Sequence, residues 1–286
     1  MMKQCDTAHS GELFVTDLDG TLLGADSRVS QRSAAILSEL TRRGALITAA
    51  TARTPATVEP LLAETEIHVP AVVMTGAGLW DHAARRFASL RLMDSADAKR
   101  VTELTLRLGL HPIVYRAEPD GSHLTFRFDP TGMPSEQYRF IADRANLELK
   151  RPVVTADPVG EAAEGPTVLI LAMGSDDAVM AAVKALRGNP ALSVSYYTDP
   201  VYPGVAFLEV FGPRVNKAEG LRELKRLTVF GDSFNDLSMM NVADRAVAVE
   251  NALPEVKAAA DTVIGPNTDD SVALFIAREL GHTDLL

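Results

Sequence analysis

Two carboxylates stand two positions apart in the stretch FVTDLDGTLL, residues 14–23, directly behind an apolar run and ahead of a Gly-Thr break. Asp and Gly both favour turns, so a turn alone would account for the composition. The spacing has a second use. Side chains at i and i+2 leave a strand end on the same side, so Asp17 and Asp19 can flank one reacting atom. A carboxylate that attacks phosphorus forms an acyl phosphate and splits one difficult displacement into two easier ones. A neighbouring acid protonates the leaving oxygen and then activates water for the second step. In that chemistry Asp17 is the nucleophile and Asp19 the general acid/base.

An anion attacking an anion needs its charge offset, and the chain carries the remaining parts. Thr51 opens the TAR triplet at residues 51–53, Lys217 begins a helical pattern, and GDSFND occupies residues 231–236. A lysine supplies fixed positive charge, and a threonine hydroxyl with loop N–H groups holds the equatorial oxygens of a phosphoryl group. Mg²⁺ bridges phosphate and protein oxygens through one or two carboxylates. An oxygen-only set without paired His or Cys favours Mg²⁺ over zinc.

These residues need a scaffold that brings them to one edge. ELFVTDL, ALITAAT and PAVVMTG are short apolar runs of the buried-strand kind. Between them lie helical patterns at residues 30–44, with Ser30 as N-cap and Gly44 as stop, and at 54–67, with Pro55 in the first turn. Alternation resumes after residue 214: NKAEGLREL as helix, RLTVFGD as strand, DLSMMNVA as helix, RAVAVEN as strand, LPEVKAAA as helix, DTVIG as strand and DDSVALFIAREL as a closing helix. The middle reads differently. A hairpin over residues 78–92 and a helix over 95–109 precede HPIVYRAE and SHLTFRFD, which alternate as antiparallel strands do. PSEQYRFIADRANLE is expected as a helix, TVLILAMG as a strand and DDAVMAAVKALRG as a helix, followed by the strands LSVSYYTD and VAFLEVFG. The expected fold is α/β: a Rossmann-like parallel-sheet core from residues 1–78 and 214–286, interrupted by an α+β module at 79–213. In open parallel sheets, sites lie beyond the carboxyl ends of the strands.

The chain resembles a haloacid dehalogenase superfamily phosphatase of the Cof type with a large C2-type cap. The resemblance rests on DxDGT, Thr51, Lys217 and GDSFND in order and spans nearly the whole chain. It implies that Asp17, the backbone carbonyl of Asp19, and Asp232 bind Mg²⁺. Asp236 would act as a further ligand or support Lys217. Asn235, Thr51, Lys217 and the main-chain N–H groups of Leu18 and Ala52 would hold the phosphate. Three departures stand out: Ala52 replaces the usual Gly, Thr75 replaces the usual Asn, and the segment from Lys217 to Gly231 is short.

Composition narrows the partners. The 286 residues hold 38 Asp plus Glu against 28 Lys plus Arg, so nucleic acid is not expected, since its usual footprint is a basic stripe. With 47% hydrophobic residues there is ample material for a packed core. Cys5 is the sole cysteine, so neither an intramolecular disulfide nor a thiolate metal cluster is expected. The first twelve residues lack the apolar centre of a secretory signal, and no stretch approaches the ~18 apolar residues of a membrane helix. A cytoplasmic monomer or homodimer acting on a small phosphorylated metabolite, such as a sugar phosphate, is the leading expectation. A phosphosugar mutase using the same two aspartates is the alternative. A non-catalytic phospho-acceptor module would lack Asp19 and the large insert. Trp80, Tyr115, Phe126 and Phe128 are expected to pack in cores, and Arg85, Arg86 and Arg91 to form a solvated face.

Overall fold

The computed structural model describes residues 11–199, 201–221 and 226–286. Cys5 with the amino-terminal segment, and much of the second half of the helix expected after Lys217, lie outside the described residues. The chain opens with β1 (Leu13–Thr16), α1 (Gln31–Arg42), β2 (Leu46–Ala49), α2 (Pro55–Leu62) and β3 (Ala71–Val73). β1 is buried along its whole length, as befits a strand covered on both faces. Ser30 caps α1 by accepting the Ser33 N–H at 2.9 Å. β3 bonds to β2's end only through the bridge Ala50–Val72. It instead leads a three-stranded sheet with β4 (Gly78–Asp81) and β5 (Arg86–Leu90), antiparallel throughout. The expected hairpin therefore extends the half that holds β1 and β2 rather than the inserted sheet. Trp80 fixes it, donating from its indole to Glu59 of α2 at 2.6 Å.

The insert proper holds α3 (Ser95–Arg107), β6 (Ile113–Ala117), β7 (Leu124–Phe128), α4 (Ser135–Ala142), β8 (Lys150–Val154), α5 (Pro158–Glu164), β9 (Thr167–Gly174), α6 (Asp176–Leu186), β10 (Ser193–Thr198) and β11 (Ala206–Phe211). Its strands form one sheet in the order β10-β11-β9-β6-β7-β8. Two elements escape a pattern reading. β8 contains Pro152, which signals a break, yet a proline is tolerated on an edge strand where its missing N–H is not needed. α5 is short and contains Gly160, but Asp157 caps it by accepting the Gly160 N–H at 2.8 Å. α4 also stops at Ala142, well before the end of the expected helix.

The chain then returns through β12 (Leu227–Gly231), α7 (Leu237–Met240), β13 (Arg245–Ala248), α8 (Pro254–Ala259), β14 (Thr262–Val263) and α9 (Ser271–Glu279). Lys217–Gly220 forms a single 3₁₀ turn where a longer helix is expected. The core sheet runs β14-β13-β12-β1-β2, all parallel. Its register is decisive for function: Thr16 lies level with Phe230 on one side and Ala49 on the other. The segments that follow β1, β2 and β12 thus emerge side by side, at the point where connections depart in opposite directions from β1. That crevice is where parallel sheets place their sites.

Candidate active site

Asp17 leaves β1 with its N–H donating to the Phe230 carbonyl at 3.0 Å. The carboxylates of Asp17, Asp232 and Asp236 approach within 4.8 Å of one another. Lys217, fully buried, donates from Nζ to Asp17 Oδ1 at 2.5 Å and to Asp236 Oδ1 at 2.6 Å. The other oxygen of Asp236 accepts the N–H groups of Asp232 and Ser233, both at 3.0 Å. Asp236 therefore ties the β12 loop to Lys217, and both its oxygens are engaged. Asp232 Oδ1 accepts from the Thr21 hydroxyl at 3.0 Å.

Glycine is required in the loop itself. Gly20 has φ of +80°, and a Cβ there would stand 2.5 Å from Asp232 Oδ2. Any side chain would displace the carboxylate, which gives the glycine of the DxDGT pattern a physical reason. Gly76, at φ +100°, faces the Asn216 carbonyl in the same way, with only 2.1 Å for a Cβ. This close contact seats the turn after β3 against the residue preceding Lys217.

The other expected residues surround this centre. Thr51 is buried, and its hydroxyl accepts the Arg53 N–H at 3.1 Å. Leu18 is buried in the loop, while Ala52 and Asn235 are exposed at the rim. Ala52 is not among the residues with positive φ, so its backbone does not call for the glycine it replaces. Thr75 does have positive φ, +57°, and follows Met74 at +50°. Asn tolerates that region far better than a β-branched residue.

Asp19 stands apart from the buried carboxylates. Its side chain is 53% exposed and receives a two-point grip from Arg53, Nε to Oδ2 at 2.7 Å and Nη2 to Oδ1 at 2.6 Å. The sequence pattern assigns Arg53 no task. It also missed Thr21 as the partner of Asp232. Asn251 and Asn267 were missed as well; they donate to the Gly20 and Leu23 carbonyls at 2.7 and 2.6 Å. For the two asparagines the sequence held no signal, because their partners are main-chain atoms some 230 or more positions away.

Electrostatics separates the buried groups. Burial pushes the Asp17 carboxyl up to about 8, against the pull of Lys217. Burial raises Asp232 to about 6, with the Thr21 hydrogen bond opposing it. For Lys217 burial works the other way, but Asp17 and Asp236 outweigh it and hold the ammonium well above the usual lysine value. Three carboxylates thus share one buried cation. A carboxylate set with surplus negative charge fits a hard, oxygen-ligated divalent ion. Asp17 and Asp232 have the geometry to hold one, and Asp236 holds them in place.

Comparison with known proteins agrees with this geometry. Residues 14–276 match the haloacid dehalogenase-like hydrolases. A 5-amino-6-(5-phospho-D-ribitylamino)uracil phosphatase of Bacillus subtilis is 26% identical, over 92% of this chain and 96% of its own. A pyridoxal phosphate phosphatase of Escherichia coli is also 26% identical, over 94% and 98%. Among solved structures, a haloacid dehalogenase-like hydrolase from Bacteroides thetaiotaomicron superposes with a TM-score of 0.74 at 22% identity, covering 94% of this chain and 99% of that one. The chain belongs to the haloacid dehalogenase-like hydrolase family and, like these relatives, is a phosphatase. Among the described residues no helix is long and apolar enough to cross a membrane.

Proposed function

We propose that this protein hydrolyses a small phosphorylated metabolite through a phosphoryl group carried transiently on Asp17, with Mg²⁺ as cofactor. The observation that carries this reading is the pairing of a lysine-bound Asp17 with an exposed Asp19 two residues further on. Lys217 occupies one oxygen of Asp17 and leaves the other to attack phosphorus. As the new P–O bond forms, the ester P–O bond breaks and Asp19 hands its proton to the leaving oxygen. Asp19 then takes a proton from water, the water oxygen attacks phosphorus, and Asp17 is regenerated with release of phosphate. Mg²⁺, when bound through Asp17, Asp232 and the Asp19 carbonyl, supplies charge neutralisation at the phosphate.

The remaining residues have defined tasks in this reading. Lys217, Thr51, Asn235 and the N–H groups of Leu18 and Ala52 receive the phosphate oxygens. Asp236 acts as a positioning residue, since its oxygens are already committed to Lys217 and two backbone N–H groups. Arg53 orients Asp19 and must loosen its grip when the proton moves. The core expected at 1–78 and 214–286 performs the chemistry, and of the module expected at 79–213 the part from α3 to β11 closes over the organic part of the ester. A small polar substrate suits a cytoplasmic setting. The phosphatase names of the relatives support hydrolysis over transfer between sugar hydroxyls.

The test is chemical. Acid-quenched enzyme, caught during turnover and digested, is expected to yield a phosphorylated peptide containing Asp17. Turnover with no such peptide under any quench would end the covalent mechanism.

A further inference from the structure

The inserted sheet has two unlike faces. α3, α5 and α6 bury one of them against Val114, Ile170, Ala172, Leu208 and Val210. The opposite face carries Ile113, Tyr115, Phe126, Leu169, Leu171 and Phe207, which belong to the same buried cluster as the core strands β1 and β12. The register places Glu209 and Tyr197 on this second face. Glu209 pairs with Leu171, which pairs with Ile113, and Tyr197 pairs with Phe207.

Lys150 joins them from β8. It is 3% exposed, and its ammonium lies 4.5 Å from the Tyr115 ring centroid and 5.3 Å from that of Phe126. Among the described residues it has no hydrogen-bond or ion-pair partner. A cation–π contact offsets only about 2 kcal/mol of such burial, and the ammonium has three donors to place. Burial lowers the amine to about 7, and nearby Arg144 adds to this, with Glu209 opposing. Glu209 is itself raised by burial to about 7 and accepts one hydrogen bond, from the Tyr197 hydroxyl at 3.2 Å. Tyr197 stacks on Phe207 with centroids 4.9 Å apart and keeps 37% of its surface open. Four strand spacings of about 4.8 Å separate the backbones of β8 and β11, and Lys150 reaches inward over the Tyr115 ring between them.

Asp19, the proposed acid/base, is gripped by Arg53. Arg53 is raised first by its hydrogen bonds to Asp19, and Asp199, in the connection from β10 to β11, contributes as well. The connection that carries Asp199 joins the two strands bearing Tyr197 and Glu209.

We infer that Lys150, Glu209 and Tyr197 form a subsite for the organic part of the phosphate ester. That part carries an acceptor-rich end, anionic or carbonyl, for Lys150 and a hydroxyl or amino group for Glu209, and lies along the Tyr197 ring. This builds on the phosphatase reading and specifies the class of ester: polyfunctional, with both an acceptor and a donor beyond the phosphate.

The test compares selectivity. The full chain is assayed on hexose phosphates, a phosphorylated amino alcohol and a phosphorylated heteroaromatic alcohol, with phenyl phosphate as a reference lacking both groups. Lys150→Met and the isosteric Glu209→Gln are each expected to lower the ratio of kcat/KM for the preferred metabolite to that for phenyl phosphate by about tenfold or more, the scale of a hydrogen bond to a charged group. Calorimetric binding of that metabolite to Asp17→Asn protein is expected to weaken similarly when Lys150→Met is added. Ratios within threefold of the parent in folded variants would overturn the subsite. Should Lys150→Met not fold, Glu209→Gln decides alone. Absence of phosphate release from any ester by the parent chain would instead count against the phosphatase reading, and the binding arm would still test the subsite.

Discussion

Two buried lysines, one in each half of the molecule, live under opposite rules. Lys217 touches two carboxylates within 2.6 Å and is held charged well above the usual lysine value. Lys150 faces aromatic rings, and burial lowers it to about 7. Both are nearly inaccessible, so burial alone does not set a lysine's charge. The partners supplied by neighbouring strands do. The first is an integral part of a charged centre, whose removal leaves anions stranded. The second is a cation awaiting a partner, whose removal relieves the fold.

The largest expected effect lies at the first lysine's partner. Asp17→Asn keeps the shape of the side chain but not its nucleophilicity, and turnover is expected to fall by at least about 10⁴-fold. Steady-state assays with phenyl phosphate check this, and a rate near the parent's would remove Asp17 from the mechanism. Lys217→Met strands Asp17 and Asp236 in the interior, with an expected loss of about 3–5 kcal/mol in urea unfolding. A loss below one kcal/mol would erase the contrast drawn between the two lysines.

Added Mg²⁺ is expected to stabilise the parent by about 2.7 kcal/mol at a hundredfold excess over Kd, read as a rise in Tm. Chelation should abolish activity, and the rise in Tm should vanish in Asp232→Asn. A full Tm response in that variant would move the metal elsewhere.

The second lysine makes a prediction with a sign. Its folded value of about 7 lies below the ordinary 10.5, so between those pH values the unfolded chain binds the extra proton. Stability contributed by this position therefore rises as pH increases through that window. Lys150→Met is expected to be more stable than the parent near pH 7, with the gap closing towards pH 10.5. Urea midpoints at several pH values across the window check it; a gap that widens with pH would refute the assignment.

The smallest effect concerns the turn seated beside Lys217. Thr75 holds φ of +57°, and such a conformation in a non-glycine residue costs about 1–3 kcal/mol. Thr75→Asn is expected to recover about 1 kcal/mol of that. No change in the unfolding midpoint would mean that the turn carries no strain.

How much of this was legible beforehand depends on the range of the interaction involved. The placement of Asp17, Asp19 and GDSFND at strand ends follows from short apolar runs and their break residues, which are local signals. So do Ser30 as a helix cap and the interruption of a parallel core by antiparallel strands. β8 was hidden because Pro152 signals a break in sequence, and only the strand's position at a sheet edge makes proline harmless there. The hairpin after β3 looked like the start of the insert because no local signal says which sheet a strand will join.

The sequence by itself determined the chemical inventory: a carboxylate pair, a threonine and an oxygen-only donor set beside strand ends, and a lysine opening a helical pattern. The tertiary structure alone decided which of these touch. Parallel register brings Thr16 level with Phe230 and Ala49, and that register turns residues some 200 positions apart into the Asp17–Lys217–Asp236 centre. It likewise decided that Lys150 has rings for company while Lys217 has carboxylates. Residue type and spacing record what a side chain can do. Its charge state and partners depend on long-range packing, which no local pattern encodes.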